Sequence, residues 1–173
     1  ACFNESRGKH SCGIYSAGKL EHGVDKMKLI SDFLQSYNIP LDKKDTTVIM
    51  HTRQATMGIH NKSSAHPFLF EEGERKMILA HNGTLKDVYN LASNHNRKFM
   101  DFEVDSKLLG DIIFHDGFEV LKQYKGAANL LIYDNQESNS LKVWKGGAGD
   151  EEERPLWYLK QPEGCYFSSM IEP

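Results

Sequence analysis

The chain has 173 residues, 39% of them apolar and 26% charged, with a formal net charge of −3. That length suits one domain with a sizeable core, and the slight negative charge argues against a nucleic-acid partner, which needs a basic face. No apolar run approaches the roughly 20 residues that span a bilayer, so no membrane partner is expected. Three cysteines, Cys2, Cys12 and Cys165, lack metal-ligand spacing and point to a reducing, cytoplasmic setting rather than a disulfide framework.

In chain order, residues 12–16 read as a short strand entering a turn at Ala17-Gly18. Residues 24–37 carry apolar side chains at 24, 27, 29, 30, 33 and 34, near the spacing of a one-sided helix, with Pro40 beyond its end. The β-branched and apolar run 46–52 predicts a buried strand. A second such run, 76–81, stops at the turn-forming pair Asn82-Gly83. Helices are predicted over 85–94 and 104–115. Residues 127–133 and 140–145, joined by the polar stretch 134–139, have the pattern of a hairpin, and 155–160 with 164–168 form a further pair of strands. Strands, then helices, then antiparallel strands predict a layered α+β domain rather than a βαβ repeat. The glycine-rich and acidic stretch 146–154 is read as a solvated loop, since its consecutive acids would repel a phosphate.

Three motifs carry chemistry: His51-Thr52-Arg53-Gln54-Ala55-Thr56-Met57-Gly58, Ala65-His66-Pro67-Phe68 and His81-Asn82-Gly83. Arg53 follows a predicted buried strand, so its guanidinium should emerge at the strand's end. There it can grip a carboxylate through two parallel hydrogen bonds, or form a structural salt bridge. Asn82 and Gly83 also end a strand. A side-chain amide beside an unhindered backbone N–H suits a developing oxyanion, and the same dipeptide also makes ordinary turns. Asp105 opens a predicted helix, where it can cap the helix or receive an ammonium group; spacing does not choose between the two. Together these groups fit hydrolysis of an amide in a small amino-acid-like substrate. The histidines at 51, 60, 66 and 81 fall in no helical i, i+4 pairing, so no metal is expected. His66 before Pro67 is read as ordering its own loop.

The motifs, in this order, resemble the glutaminase domain of class II glutamine amidotransferases, which are N-terminal-nucleophile hydrolases, with the glucosamine-phosphate synthase type closest. Arg7-Gly8-Lys9-His10-Ser11-Cys12-Gly13-Ile14 is similar to the family's Arg-Gly-x-x-Ser-x-Gly segment, and His51–Gly58 to His-Thr-Arg-x-Ala-Thr-x-Gly. Ala65-His66-Pro67 is similar to Asn-Ala-His-Pro, and Val104-Asp105-Ser106 to Ser-Asp-Thr or Ser-Asp-Ser. The run from Gly126-Ala127-Ala128 through Asp134 is similar to the family's Gly-Ala-x-Ala-Leu strand. The resemblance implies a four-layer αββα sandwich of antiparallel sheets and the release of ammonia from glutamine, without a cofactor. The ammonia would pass to an acceptor site on another domain or a separate synthase subunit. It implies that Arg53, with Thr56 nearby, binds the α-carboxylate of glutamine and that Asp105 holds the α-ammonium. Asn82 and Gly83 would form the oxyanion hole.

The family's nucleophile is a cysteine at the start of the mature chain, whose own α-amine, with a pKa of about 7.7–8.0, serves as base. No such residue is identifiable here. Cys2 follows Ala1 and is expected to be a packing residue, while Cys12 and Cys165 fall in predicted strands. The expectation is a single glutaminase domain over residues 1–173 that lacks its first strand and part of its first helix. The alternative is a glutamine-binding relative without turnover.

Overall fold

A computed structural model describes residues 10–16, 18–23, 47–53, 61–137, 140–146 and 154–170. Strands β1 (Ser11–Ser16) and β2 (Lys19–Gly23) form a hairpin, its turn carried by Gly18 at a φ of 82° that side-chain-bearing residues avoid. β3 (Val48–Arg53) pairs antiparallel with β1 on the other side, giving a three-stranded sheet in the order β2-β1-β3. The second sheet has the order β4-β5-β6-β7, all antiparallel, from β4 (Phe68–Glu72), β5 (Arg75–Gly83), β6 (Ala128–Asp134) and β7 (Leu141–Gly146). Helices α1 (Val88–Asn94) and α2 (Asp105–Asp116) lie between β5 and β6 in sequence. A last hairpin, β8 (Trp157–Gln161) with β9 (Gly164–Ser168), forms its own two-stranded sheet.

The run Met77-Ile78-Leu79-Ala80 is buried throughout because β5 has a core on each face. Met77 and Leu79 point to the helices, where they meet Leu108, Leu109, Ile112 and Ile113 of α2. Ile78 and Ala80 point the other way, against Tyr15 of β1 and Ile49 of β3. Alternation along one strand thus serves two interfaces. The end of the central pair β5-β6 is fastened by Arg75, which pairs with the buried Asp134 at 2.8 Å and donates through Nη1 to the Phe114 carbonyl near the end of α2, at 2.7 Å.

The architecture is an α+β sandwich with three of the expected layers, αββ, in the described residues. The helix predicted over 24–37, which would supply the fourth, lies outside them. The other predicted helices and strands occur with ends shifted by a few residues. Two strands went unpredicted: β4, whose apolar start gives way to Glu71-Glu72, and β2, a mostly polar edge strand. Neither carries a period-2 pattern, and each is recruited by the hairpin it closes.

Candidate active site

β3 and β5 end side by side, and a cleft of about 350 Å³ opens where they stop. Arg53, Asn82, Gly83 and Asp105 all line it, so four residues from three separate sequence motifs meet at one place. Thr56 lies outside the described residues.

Arg53 is the last residue of β3 and is buried, at 8% exposure. Its Nη1 donates to the hydroxyl of Ser64 at 3.2 Å. Burial lowers its pKa from the ordinary arginine value, and the Asp105 carboxylate opposes that shift, which puts the two charges within electrostatic reach. Asp105 is the first residue of α2; the cap position belongs to Val104, which makes no side-chain capping bond. The carboxylate accepts instead from the backbone N–H of Leu85 through Oδ2 and of Ser106 through Oδ1, both at 2.8 Å. An acid in a first helical turn also faces the positive end of the helix dipole.

Asn82 pairs in register with Asn129 of β6, and Gly83 with Ala128. A Cβ on Gly83 would lie 2.7 Å from the Ala128 Cβ, 2.8 Å from the Ala127 carbonyl oxygen and 2.8 Å from His81 Nε2, so only glycine fits. His81 also lines the cleft, and its ring reaches Ser106 of α2 and Tyr124. Its Nδ1 lies 2.8 Å from Ser106 Oγ and its Nε2 2.9 Å from the Tyr124 hydroxyl. Ser106 Oγ is in turn 3.3 Å from Asp105 Oδ1. Burial pushes His81 down to about 4, with the Asp105 charge opposing, so the ring is neutral at pH 7. A carboxylate only accepts, so Ser106 donates to Asp105. His81 Nδ1–H then donates to Ser106, and the Tyr124 hydroxyl donates to Nε2. The chain Tyr124–His81–Ser106–Asp105 thereby links the strand carrying Asn82 to the carboxylate that shares the cleft with Arg53.

His66 is held by packing rather than by hydrogen bonds. Among the described residues neither ring nitrogen has a hydrogen-bond partner, and the ring packs as an aromatic between His51, at 4.4 Å between centroids, and Phe68, at 4.3 Å. Burial pulls His66 well below the usual histidine value and takes His51 to about 4. Among the described residues no group of three or more histidine, cysteine or acidic side chains converges to hold a metal. Cys12 is buried in β1 and Cys165 exposed in β9; among the described residues no thiol lines the cleft, and Cys2 lies outside them.

Sequence reasoning missed Asn129 and Arg154. The Asn129 amide donates to the carbonyls of Arg154, at 3.1 Å, and Pro155, at 3.0 Å, tying the lead-in to β8 against β6. Arg154 lines the cleft, which corrects the reading of that position as part of a solvated loop; residues 147–153 lie outside the described ones. The available signal was Asn129 itself, a lone polar residue in an apolar strand.

The cleft is lined by a buried guanidinium, a carboxylate and an Asn-Gly pair at a strand end, groups that could hold a small zwitterion and a developing oxyanion. The fold is that of solved amidotransferases. The Bacillus subtilis glutamine phosphoribosylpyrophosphate amidotransferase complexed with ADP and GMP aligns over 95% of this chain and 36% of its own, at 20% identity and a TM-score of 0.65. A structure described as the allosteric regulatory enzyme of purine biosynthesis aligns over 75% and 30%, at 24% identity and a TM-score of 0.55. Residues 22–101 match the family of class II glutamine amidotransferases. The glutamine–fructose-6-phosphate aminotransferase (isomerizing) of Streptococcus mutans is 32% identical over 155 residues, and that of a Streptococcus pyogenes M6 strain 28% identical over 158. In each case the match covers 82% of this chain and a quarter of the relative's length. The chain carries a class II glutamine amidotransferase domain.

Proposed function

We propose that this domain hydrolyses glutamine to glutamate and ammonia and delivers the ammonia to an acceptor site on another domain or subunit, in the cytoplasm. The single observation that carries the reading is the convergence of Arg53, Asp105, Asn82 and Gly83 on one cleft. Arg53 would take the α-carboxylate in its planar fork, assisted by Thr56, and Asp105 the α-ammonium. The γ-carboxamide would then reach the end of β5. There the Asn82 side-chain amide and the Gly83 N–H would donate to the oxygen as the carbonyl becomes tetrahedral.

The nucleophile would be a cysteine thiol contributed from outside the described residues, with its own free α-amine as base. The α-amine takes the thiol proton, the sulfur bonds to the side-chain carbonyl carbon (Cδ), the C–N bond breaks and ammonia leaves with that proton. Water then releases glutamate from the thioester and restores the thiol. A second reading, a glutamine-binding module without turnover, draws on the lack of a thiol among the described cleft residues.

A glutamine analogue bearing a γ-diazoketone distinguishes the two in protein purified from its native source. We expect glutamate release that the analogue abolishes, with its mass added to one cysteine-containing peptide. Glutamine binding without release or labelling would establish the second reading, and no binding at all would sink both.

A further inference from the structure

The two charged groups that would grip an α-amino acid come from different layers. Arg53 ends a strand of the three-stranded sheet, whereas Asp105 opens a helix packed behind the four-stranded one. A grip split between layers recognises one spacing of carboxylate and ammonium only if both halves are held before ligand arrives.

The turn at residues 61–64 touches Arg53 on one side and Glu103, two residues before Asp105, on the other. On one side the buried Ser64 hydroxyl accepts from Arg53 Nη1 at 3.2 Å. The same oxygen donates to the Asn61 carbonyl at 3.1 Å and accepts from the Asn61 N–H at 3.4 Å. Its one proton and both acceptor positions are therefore in use. The Ser64 N–H donates to Asn61 Oδ1 at 2.9 Å, closing the short 3-10 turn Lys62–Ser64 as a reciprocal capping box. On the other side the Ser63 hydroxyl, 2.9 Å from Asn61 Oδ1, also lies 2.7 Å from Glu103 Oε1. Glu103 is paired with Lys107 Nζ at 2.7 Å, so this contact spans the residues on either side of Asp105.

We propose that residues 61–64 act as a bracket presetting the spacing of Arg53 and Asp105, with Ser64 as a positioning residue for recognition of the α-carboxylate. The inference rests on the glutamine reading for the identity of its ligand. Holding the guanidinium in place beforehand raises affinity by removing part of the ordering cost of binding.

Two readouts on the full-length protein test it: L-glutamine affinity by calorimetry, and the rate at which a dicarbonyl reagent modifies Arg53, followed by peptide mass. Ser64→Ala should weaken glutamine binding about five- to tenfold, roughly the net worth of one ordinary hydrogen bond, and speed Arg53 modification. Ser64→Thr, which keeps the hydroxyl, should restore both. Unchanged affinity in Ser64→Ala, or a loss that Ser64→Thr fails to restore, overturns the bracket. A wild-type protein that binds no glutamine, but whose Arg53 reacts faster in Ser64→Ala, sinks the glutamine reading and leaves the bracket standing. If Ser64→Ala does not fold, Ser63→Ala at its exposed site decides the matter. A two- to threefold loss of affinity is then expected, by roughly half a hydrogen bond, and no loss overturns the proposal.

Discussion

Asn82 and Gly83 occupy the end of a strand that cannot shift freely. Gly83 is walled in by Ala128, Ala127 and the His81 ring, and His81 is itself held by Ser106 and Tyr124. A donor fixed this firmly suits charge that appears only in the transition state. Asn82→Ala in the active protein is therefore expected to lower kcat about 10²–10³-fold with little change in KM, the usual cost of losing one oxyanion donor. Steady-state kinetics decide it, and a rise in KM at constant kcat would remove Asn82 from that role. Arg53, Asn82, Gly83 and Asp105 were legible as candidates because each sits at a strand or helix end, where local pattern predicts emergence into a cleft. Ser64, Asn129, Arg154 and Tyr124 were not. Ser64 matters through Arg53, 11 residues away, Tyr124 through His81, 43 away, and Asn129 through carbonyls 25 and 26 residues on. No window along the chain contains such pairings.

At the scale of elements, α2 joins the apolar core to the chemistry. Its first residue is Asp105, and its buried side Leu108, Leu109, Ile112 and Ile113 packs on β5. Ile112→Ala removes three carbons from a fully buried site and should cost about 2–5 kcal/mol, read as a lower midpoint in urea unfolding. A loss below about 1 kcal/mol would mean that α2 is not a core element. The α2 and β5 patterns were plain in the sequence because a long apolar repeat outweighs local noise. The edge strands β2 and β4 were not plain, since pairing rather than composition makes them strands.

For the whole molecule, the buried histidines set how the fold responds to acid. His51 and His81 are pushed to about 4 and His66 well below its usual value, all by burial first. An unfolded chain binds these protons near pH 6.5, the folded one only at much lower pH. Between those limits the unfolded state holds more protons, so stability rises with pH and falls as acid is added from about 6.5 towards 4. The thermal midpoint should drop through that window and do so less steeply in His66→Phe, which keeps the ring among His51 and Phe68 and removes one proton site. An equal slope in both proteins would show that His66 does not contribute. The layered α+β class was legible from the order of strands and helices. The meeting of β3 with β5 was not, because it depends on two sheets stacking face to face.

The two-sided character of β5 bears on how this protein tolerates change. Met77 and Leu79 never face the cleft, yet they lie on the same rigid strand as Asn82, a few residues along. Selection for turnover alone would purge substitutions at those apolar positions alongside substitutions at the cleft. A map of fitness along the strand would look nearly uniform, although the reasons for intolerance alternate from residue to residue.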